Sequence, residues 1–149
     1  MTALNGAIVA TLRSPLHIVL DRALMLVTVT GRRSGRRYTI PVGYQMDGDR
    51  VVVLVSRARR KNWWRNYLEA RPVEVHLRGA ERRGVACVIP AGSATFFAAL
   101  ENTLERMPWL GPQFSIRYRR GAGLSTADRD VLAREVAAVE ITLEHPGES

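Results

Sequence analysis

Two short segments hold most of the residues in this chain that can bind or transform a ligand. The first, Thr30-Gly31-Arg32-Arg33-Ser34-Gly35-Arg36-Arg37, sets four arginines on a turn bracketed by glycines. Such a turn can aim successive backbone N–H groups at one anion, and guanidinium forks pair bidentately with phosphate or carboxylate. A hairpin with solvated arginines would have the same composition. The second, Ser56-Arg57-Ala58-Arg59-Arg60-Lys61-Asn62, crowds positive charge just ahead of Trp63-Trp64, where a short helix is expected. Cations at a helix N-terminus oppose its dipole, a conflict that a bound anion relieves. Asn62 stands where an N-cap would. The paired tryptophans must face different ways, so one enters the core and the other covers what the loop holds. The alternative is a solvated basic loop with one core tryptophan.

Between these segments runs Tyr38-Thr39-Ile40-Pro41-Val42-Gly43-Tyr44. Pro41 cannot donate to a sheet ladder and so belongs at an edge or bulge. Gly43, two residues on, removes a side chain from the same strand face. A flat ring can lie against such a strand, with backbone groups reading its edge; an ordinary bulge is the competing reading. Taken together, the segments suggest an anion clamp beside a flat-ring platform, which is what a phosphorylated, flavin-like cofactor requires. Tyr118, flanked by Arg117 and Arg119, either lines a pocket mouth or is exposed.

The elements that must position these residues follow from periodicity. Residues 4–22 read as helical, split near Pro15. Strands are expected over 24–30, 38–46 and 50–56, with Asp47-Gly48-Asp49 as a hairpin. A short helix is expected over 63–70, ended by Arg71-Pro72. A strand over 73–77 should pair with 84–89 across a turn at 78–83. Residues 94–107 read as a helix with Phe96, Phe97, Leu100 and Leu104 inward. An irregular stretch over 108–124 follows, then a helix capped by Ser125 and a closing strand over 136–143, with a disordered tail. Alternating βαβ units are absent, so the expected fold is α+β: a small antiparallel barrel with flanking helices.

The 149 residues suit one domain, with the barrel core over about 24–143. One cysteine excludes an internal disulfide, and Cys87 lies in an apolar run that suits an inert buried thiol. No metal-ligand spacing appears, and no metal is expected. No apolar stretch is long enough to span a bilayer, and the N-terminus lacks signal-peptide features, so the chain reads as cytoplasmic. The formal charge of +8 comes almost entirely from arginine, Lys61 being the one lysine. That excess implies an anionic partner. Nucleic acid is not expected, because the arginines collect at two loops instead of interleaving with aromatics. Rossmann and nucleophile-elbow patterns are absent.

Across about residues 25–90 the sequence resembles the deazaflavin (F420)-dependent nitroreductase family of the split β-barrel, FMN-binding-like superfamily. The resemblance rests on Thr30-Gly31-Arg32-Arg33-Ser34-Gly35, Pro41, the Asp47-Gly48-Asp49 hairpin, Ser56-Arg57-Ala58, Trp63-Trp64-Arg65-Asn66-Tyr67-Leu68 and Arg71-Pro72-Val73. It implies that Arg32, Arg33, Ser34 and Gly35 hold the phosphate and acidic tail of F420. It further implies that Ile40, Pro41, Val42 and Gly43 line the deazaflavin ring, and that Ser56, Arg57, Ala58, Lys61, Asn62 and Trp64 complete the clamp. The implied activity is hydride transfer from reduced F420 to a small electron-poor organic substrate such as an enone or quinone. The implied assembly is a homodimer, with the N-terminal helix as a candidate for peripheral membrane contact. The alternative is a binding module of the same fold loaded with FMN, haem or a fatty acid. Two departures concern the substrate side. Gly43 stands where family members often carry a tyrosine, with Tyr44 one place on. The C-terminal tyrosine cluster of some members has no counterpart except Tyr118, so Tyr44 and Tyr118 are the only catalytic candidates.

Overall fold

The computed structural model describes residues 24–145. The helix expected over 4–22 and the tail from 146 lie outside the described residues. Seven strands form one antiparallel sheet: β1 (Leu24–Thr30), β2 (Arg37–Gly43), β3 (Gln45–Asp47), β4 (Arg50–Val55), β5 (Arg71–Leu77), β6 (Ala80–Ile89) and β7 (Ala137–Leu143). Their order in space is β2-β1-β5-β6-β7-β4-β3. The two edge strands, β2 and β3, are consecutive in the chain and joined by Tyr44 alone. A flat sheet cannot satisfy that connection, so the sheet curls until its edges meet, giving a barrel split along one seam. The expected strand over 38–46 is therefore two strands on opposite edges, and Gly43-Tyr44 is the corner between them. Pro41 lies on β2, opposite Leu26 of β1, on an edge strand as its missing N–H demands.

Alternation along the strands gives two cores. The barrel interior is filled by Met25, Val27, Val29, Val51, Val53, Val55, Val73, Val75, Ile141 and their neighbours, with Trp63 and Tyr67 plugging one end. On the outer face, Val52, Ile89 and Ala138 meet Phe96, Leu100 and Leu104 of helix α1 (Ala94–Arg106) and Leu132 of helix α2 (Thr126–Glu135). Phe96, Leu100 and Leu104 are wholly buried, each stabilising by about 1.5–3 kcal/mol. Phe97 is half-buried instead, with the Arg129 guanidinium 4.8 Å from its ring centre. Ser125 caps α2 through a reciprocal box with Asp128, so that carboxylate is structural.

Three local elements differ from expectation. The β5–β6 hairpin turns on Arg78-Gly79 alone, because Leu77 pairs with Ala80 and β6 runs on through residues 80–83. The helix expected over 63–70 is a single 3-10 turn, Trp63–Tyr67. Part of the irregular stretch is another 3-10 segment, Pro108–Phe114, which follows α1 directly and packs against it.

Candidate functional site

Antiparallel pairing brings the two basic segments to one end of the barrel. There β1 and β4 finish, β2 and β5 begin, and the 3-10 turn Trp63–Tyr67 packs across the opening. The arginine turn closes on itself: Gly31 N–H donates to Arg36 O at 2.8 Å and Gly35 N–H to Gly31 O at 2.9 Å. Arg36 N–H donates to Ser34 Oγ at 3.1 Å. Gly35 has φ +67°, a backbone that other residues adopt at a cost. The turn is anchored by a residue outside both expected site lists, Asn66. Its Oδ1 accepts from Arg32 N–H at 2.8 Å, and its Nδ2 donates to Trp63 O at 2.9 Å. Asn66 is 6% exposed, so this bridge is a buried polar tie between the two segments. The one sequence signal for Asn66 is its place in the Trp63-Trp64-Arg65-Asn66-Tyr67-Leu68 motif, which gives it no role.

The second loop is wound tightly around Ala58. Its carbonyl accepts from Lys61 N–H at 3.1 Å and from the Trp64 indole Nε1 at 2.9 Å. Trp63 is buried and meets Tyr67 edge-on, while Trp64 is half-buried with the Arg65 guanidinium 5.0 Å from its ring centre. Asn62 does not cap the turn with its side chain; its Oδ1 instead accepts from Arg65 at 2.7 Å. A five-residue 3-10 turn also carries little dipole, so the expected conflict with a helix N-terminus is small. The electrostatic conflict is between the cations themselves. Burial and the nearby Arg57 charge lower the Lys61 ammonium below the usual lysine range. Arg57 itself sits at φ 51°, strained for a residue with a Cβ.

Among the described residues, Arg32, Arg33, Arg36, Arg57, Arg59, Arg60 and Lys61 form no ion pair with an acid. Arg37 differs from the other arginines of its turn: it pairs with Glu74 at 2.7 Å on the outer face and is withdrawn from the cluster. Arg71 begins β5 at this same end, and its buried Nη1 has no hydrogen-bond partner among the described residues. A buried guanidinium nitrogen without an acceptor is costly and points to a missing anionic or water partner. The adjoining phenol of Tyr67 is held up to about 12, chiefly by burial, with the Arg71 charge pulling the other way. This end of the barrel is thus built to receive negative charge, and an anionic cofactor tail fits it.

From this end β2 runs along the open edge of the sheet for seven residues, roughly 20 Å. Ile40 and Val42 turn inward against the barrel core, leaving Pro41 and Gly43 on the opposite face. At the far end of β2 lies a cavity of about 500 Å³. Gly43, Tyr44 and Gln45 form one wall, β4 contributes Val52 and Leu54, and the end of α1 with the following 3-10 turn closes the rest. Ser56 is half-buried just past β4, at the basic end. Tyr118 lies elsewhere, its hydroxyl donating to Glu105 on α1, which raises the phenol to about 12. No group of three or more metal-ligating side chains occurs among the described residues.

Comparison with known proteins now adds to the geometry. A family model described as F420H(2)-dependent quinone reductase matches residues 4–104. The chain belongs to that family. Its cofactor is accordingly coenzyme F420, and its activity is that of a reductase. Solved structures agree on the fold. A FAD and heme binding protein from Mycobacterium smegmatis aligns at TM-score 0.52 and 19% identity, over 89% of this chain and 67% of that one. The heme storage protein HutZ from Vibrio cholerae aligns at TM-score 0.54 and 14% identity, over 87% of each chain. A structure described as a domain-swapped dimer aligns at TM-score 0.58 and 14% identity, over 91% of this chain and 92% of that one. At these identities the likeness is one of fold, the split β-barrel. Comparison with curated protein sequences finds no match.

Proposed function

We propose that this reductase holds F420 with its phosphate and acidic tail at the basic barrel end and its ring along β2, and reduces a quinone-like acceptor. Arg32, Arg33, Ser34 and Gly35 take the phosphate and tail. Arg57, Ala58, Lys61, Asn62 and Trp64 close over them from the second loop, with Ser56 at its root. Pro41 and Gly43 form the face of the ring platform, and Ile40 and Val42, packed inward, hold its backbone in place. When bound, reduced F420 supplies a hydride. The chain's own residues bind and orient the cofactor, keep water from the ring face and shape the acceptor cavity. Tyr44 is the side chain nearest in sequence to the platform that can hold a proton at the cavity wall, and solvent can serve the same purpose.

The observation that carries this reading is the basic end itself: seven cations without an acidic partner among the described residues, plus the orphaned Arg71 Nη1, at the head of an open edge strand. Like charges gathered without acids destabilise a fold unless a ligand compensates them. Fluorescence titration with F420 tests the proposal. Arg32→Ala combined with Arg33→Ala should weaken binding by about 2–4 kcal/mol, since two charged hydrogen-bonding groups are lost. Arg37→Ala, already paired with Glu74, should change affinity far less. Unchanged affinity in the double variant, or tight FMN binding with no response to F420, would overturn the assignment. The proposal includes a homodimer, supported by large apolar side chains left exposed at Leu68, Val85 and Trp109, and light scattering reads it directly. Among the described residues no helix is long and apolar enough to cross a membrane.

A further inference from the structure

The cavity at the Gly43 end of β2 has a charge character of its own. Two guanidinium groups stand in its wall, Arg78 from the β5–β6 turn and Arg106 from the last turn of α1. No aspartate or glutamate lines it among the described residues. Among the described residues neither arginine is ion-paired with an acid. Both are nonetheless held. Arg78 Nε donates to Tyr44 Oη at 3.2 Å, and its guanidinium carbon lies 6.0 Å from the Tyr44 ring centre. Arg106 Nη1 donates to Gln45 Oε1 at 2.9 Å. Each contact uses one of five guanidinium donors and fixes the side chain's direction. The remaining donors are held near where a ligand would sit. Asp47 and Arg106 both line an adjoining groove and are not ion-paired with each other. Arg78 reaches its place from a left-handed backbone, φ 51°, which is strained for a residue with a Cβ.

The rest of the lining is mostly apolar: Met46, Val52, Leu54, Met107, Leu110 and Phe114. A largely apolar slot with two oriented cations and, among the described residues, no anion matches a flat, conjugated molecule that carries a carboxylate. We propose that the acceptor reduced by this protein is such an anionic quinone or enone, and that Arg78 and Arg106 select it by its carboxylate. The inference rests on the reading that the cofactor ring lies against Pro41–Gly43. In the reaction, the acceptor takes up a hydride and a proton from water, so that a quinone becomes its hydroquinone with two new O–H bonds and an enone becomes the saturated ketone. The cofactor is oxidised, and the carboxylate is unchanged.

Two naphthoquinones that differ only in a ring carboxylate test this. Binding to the cofactor-free protein is read by quenching of tryptophan fluorescence, and turnover with reduced F420 gives kcat and KM for each. The carboxylate should bind and react roughly 10–100-fold better, as expected for charge-assisted hydrogen bonds. Arg78→Met combined with Arg106→Met should collapse the preference through KM, while Arg78→Lys with Arg106→Lys should retain part of it. F420 affinity, titrated separately, should be unaffected in both variants. Equal binding of the two quinones to the unsubstituted protein would overturn the proposal, as would a preference that survives both substitutions. Failure of F420 to bind at the arginine turn would defeat the cofactor placement instead, and the carboxylate preference of the cofactor-free protein would still be measured.

Discussion

Replacing Asn66 tests whether the two basic segments act as one device. Its side chain makes both hydrogen bonds that tie them, to Arg32 N–H at 2.8 Å and to Trp63 O at 2.9 Å, and it is 6% exposed. Asn66→Ala removes both bonds and leaves a partly buried N–H and a carbonyl to find other partners. At about 1 kcal/mol net per bond, the loss is about 2 kcal/mol of stability. For a domain of this size that is on the order of 4–8 °C in Tm. The arginine turn also loses its fixed distance from the Lys61 loop, so F420 affinity should fall roughly five- to thirtyfold. Asn66→Asp separates the contributions. Its carboxylate still accepts from Arg32 N–H but cannot donate to Trp63 O, and it brings negative charge beside the clamp. Its stability loss should be smaller than that of Asn66→Ala, and its affinity loss larger and salt-dependent. Thermal unfolding and fluorescence titration of both variants give the result. Lost stability with intact affinity in Asn66→Ala would refute the idea that the tie positions the clamp, and no change in either would refute the hydrogen-bond geometry.

Two other expectations concern the frame around the site. A Cβ at Gly84 would stand 2.5 Å from Thr142 O and 3.1 Å from Ile141 Cγ2, on the neighbouring strand β7, so backbone would have to move. Gly84→Ala should therefore cost roughly 1–3 kcal/mol, measured by denaturant unfolding, and a neutral result would mean that β6 and β7 are further apart than described. Spectrophotometric titration should find Tyr67 and Tyr118 ionising near 12, the first held up chiefly by burial and the second by its bond to Glu105. Their folded pKa values lie above the unfolded one, so the stability they contribute is complete below about pH 10 and is lost as pH rises towards 12. A denaturation midpoint that stays flat across that window would contradict both assignments.

What was legible in the sequence follows the reach of each signal along the chain. The Asp47-Gly48 hairpin, the Ser125 cap and the apolar rhythm of α1 are local and were readable. Pro41 announced an edge strand by its missing donor, and β2 is one. The break at Tyr44 was not readable, because it arises from closure of the sheet: the strand leaves one edge and joins the other, a fact about seven strands together. The long β6 was missed for a related reason. A polar run, Glu81-Arg82-Arg83, looks like a loop until its pairing with Val75, Glu74 and their neighbours makes it the solvent end of a hairpin.

The same distinction runs through the site. The basic cluster is written in contiguous stretches, so composition and spacing made the gathering of cations readable, while the long-range tie through Asn66 and the buried Nη1 of Arg71 were not. The cavity is different. Arg78 comes from a hairpin and Arg106 from the end of a helix, and they meet across the Tyr44 corner only because the sheet curls. Neither belongs to a motif, and each is held by one neighbour that is itself on the corner. Substitutions at these two positions would leave the hairpin, the helix and the basic end of the barrel as they are. The acceptor side can therefore change its charge preference without disturbing the cofactor side, and that independence is what the paired measurements of F420 affinity and carboxylate preference are designed to detect.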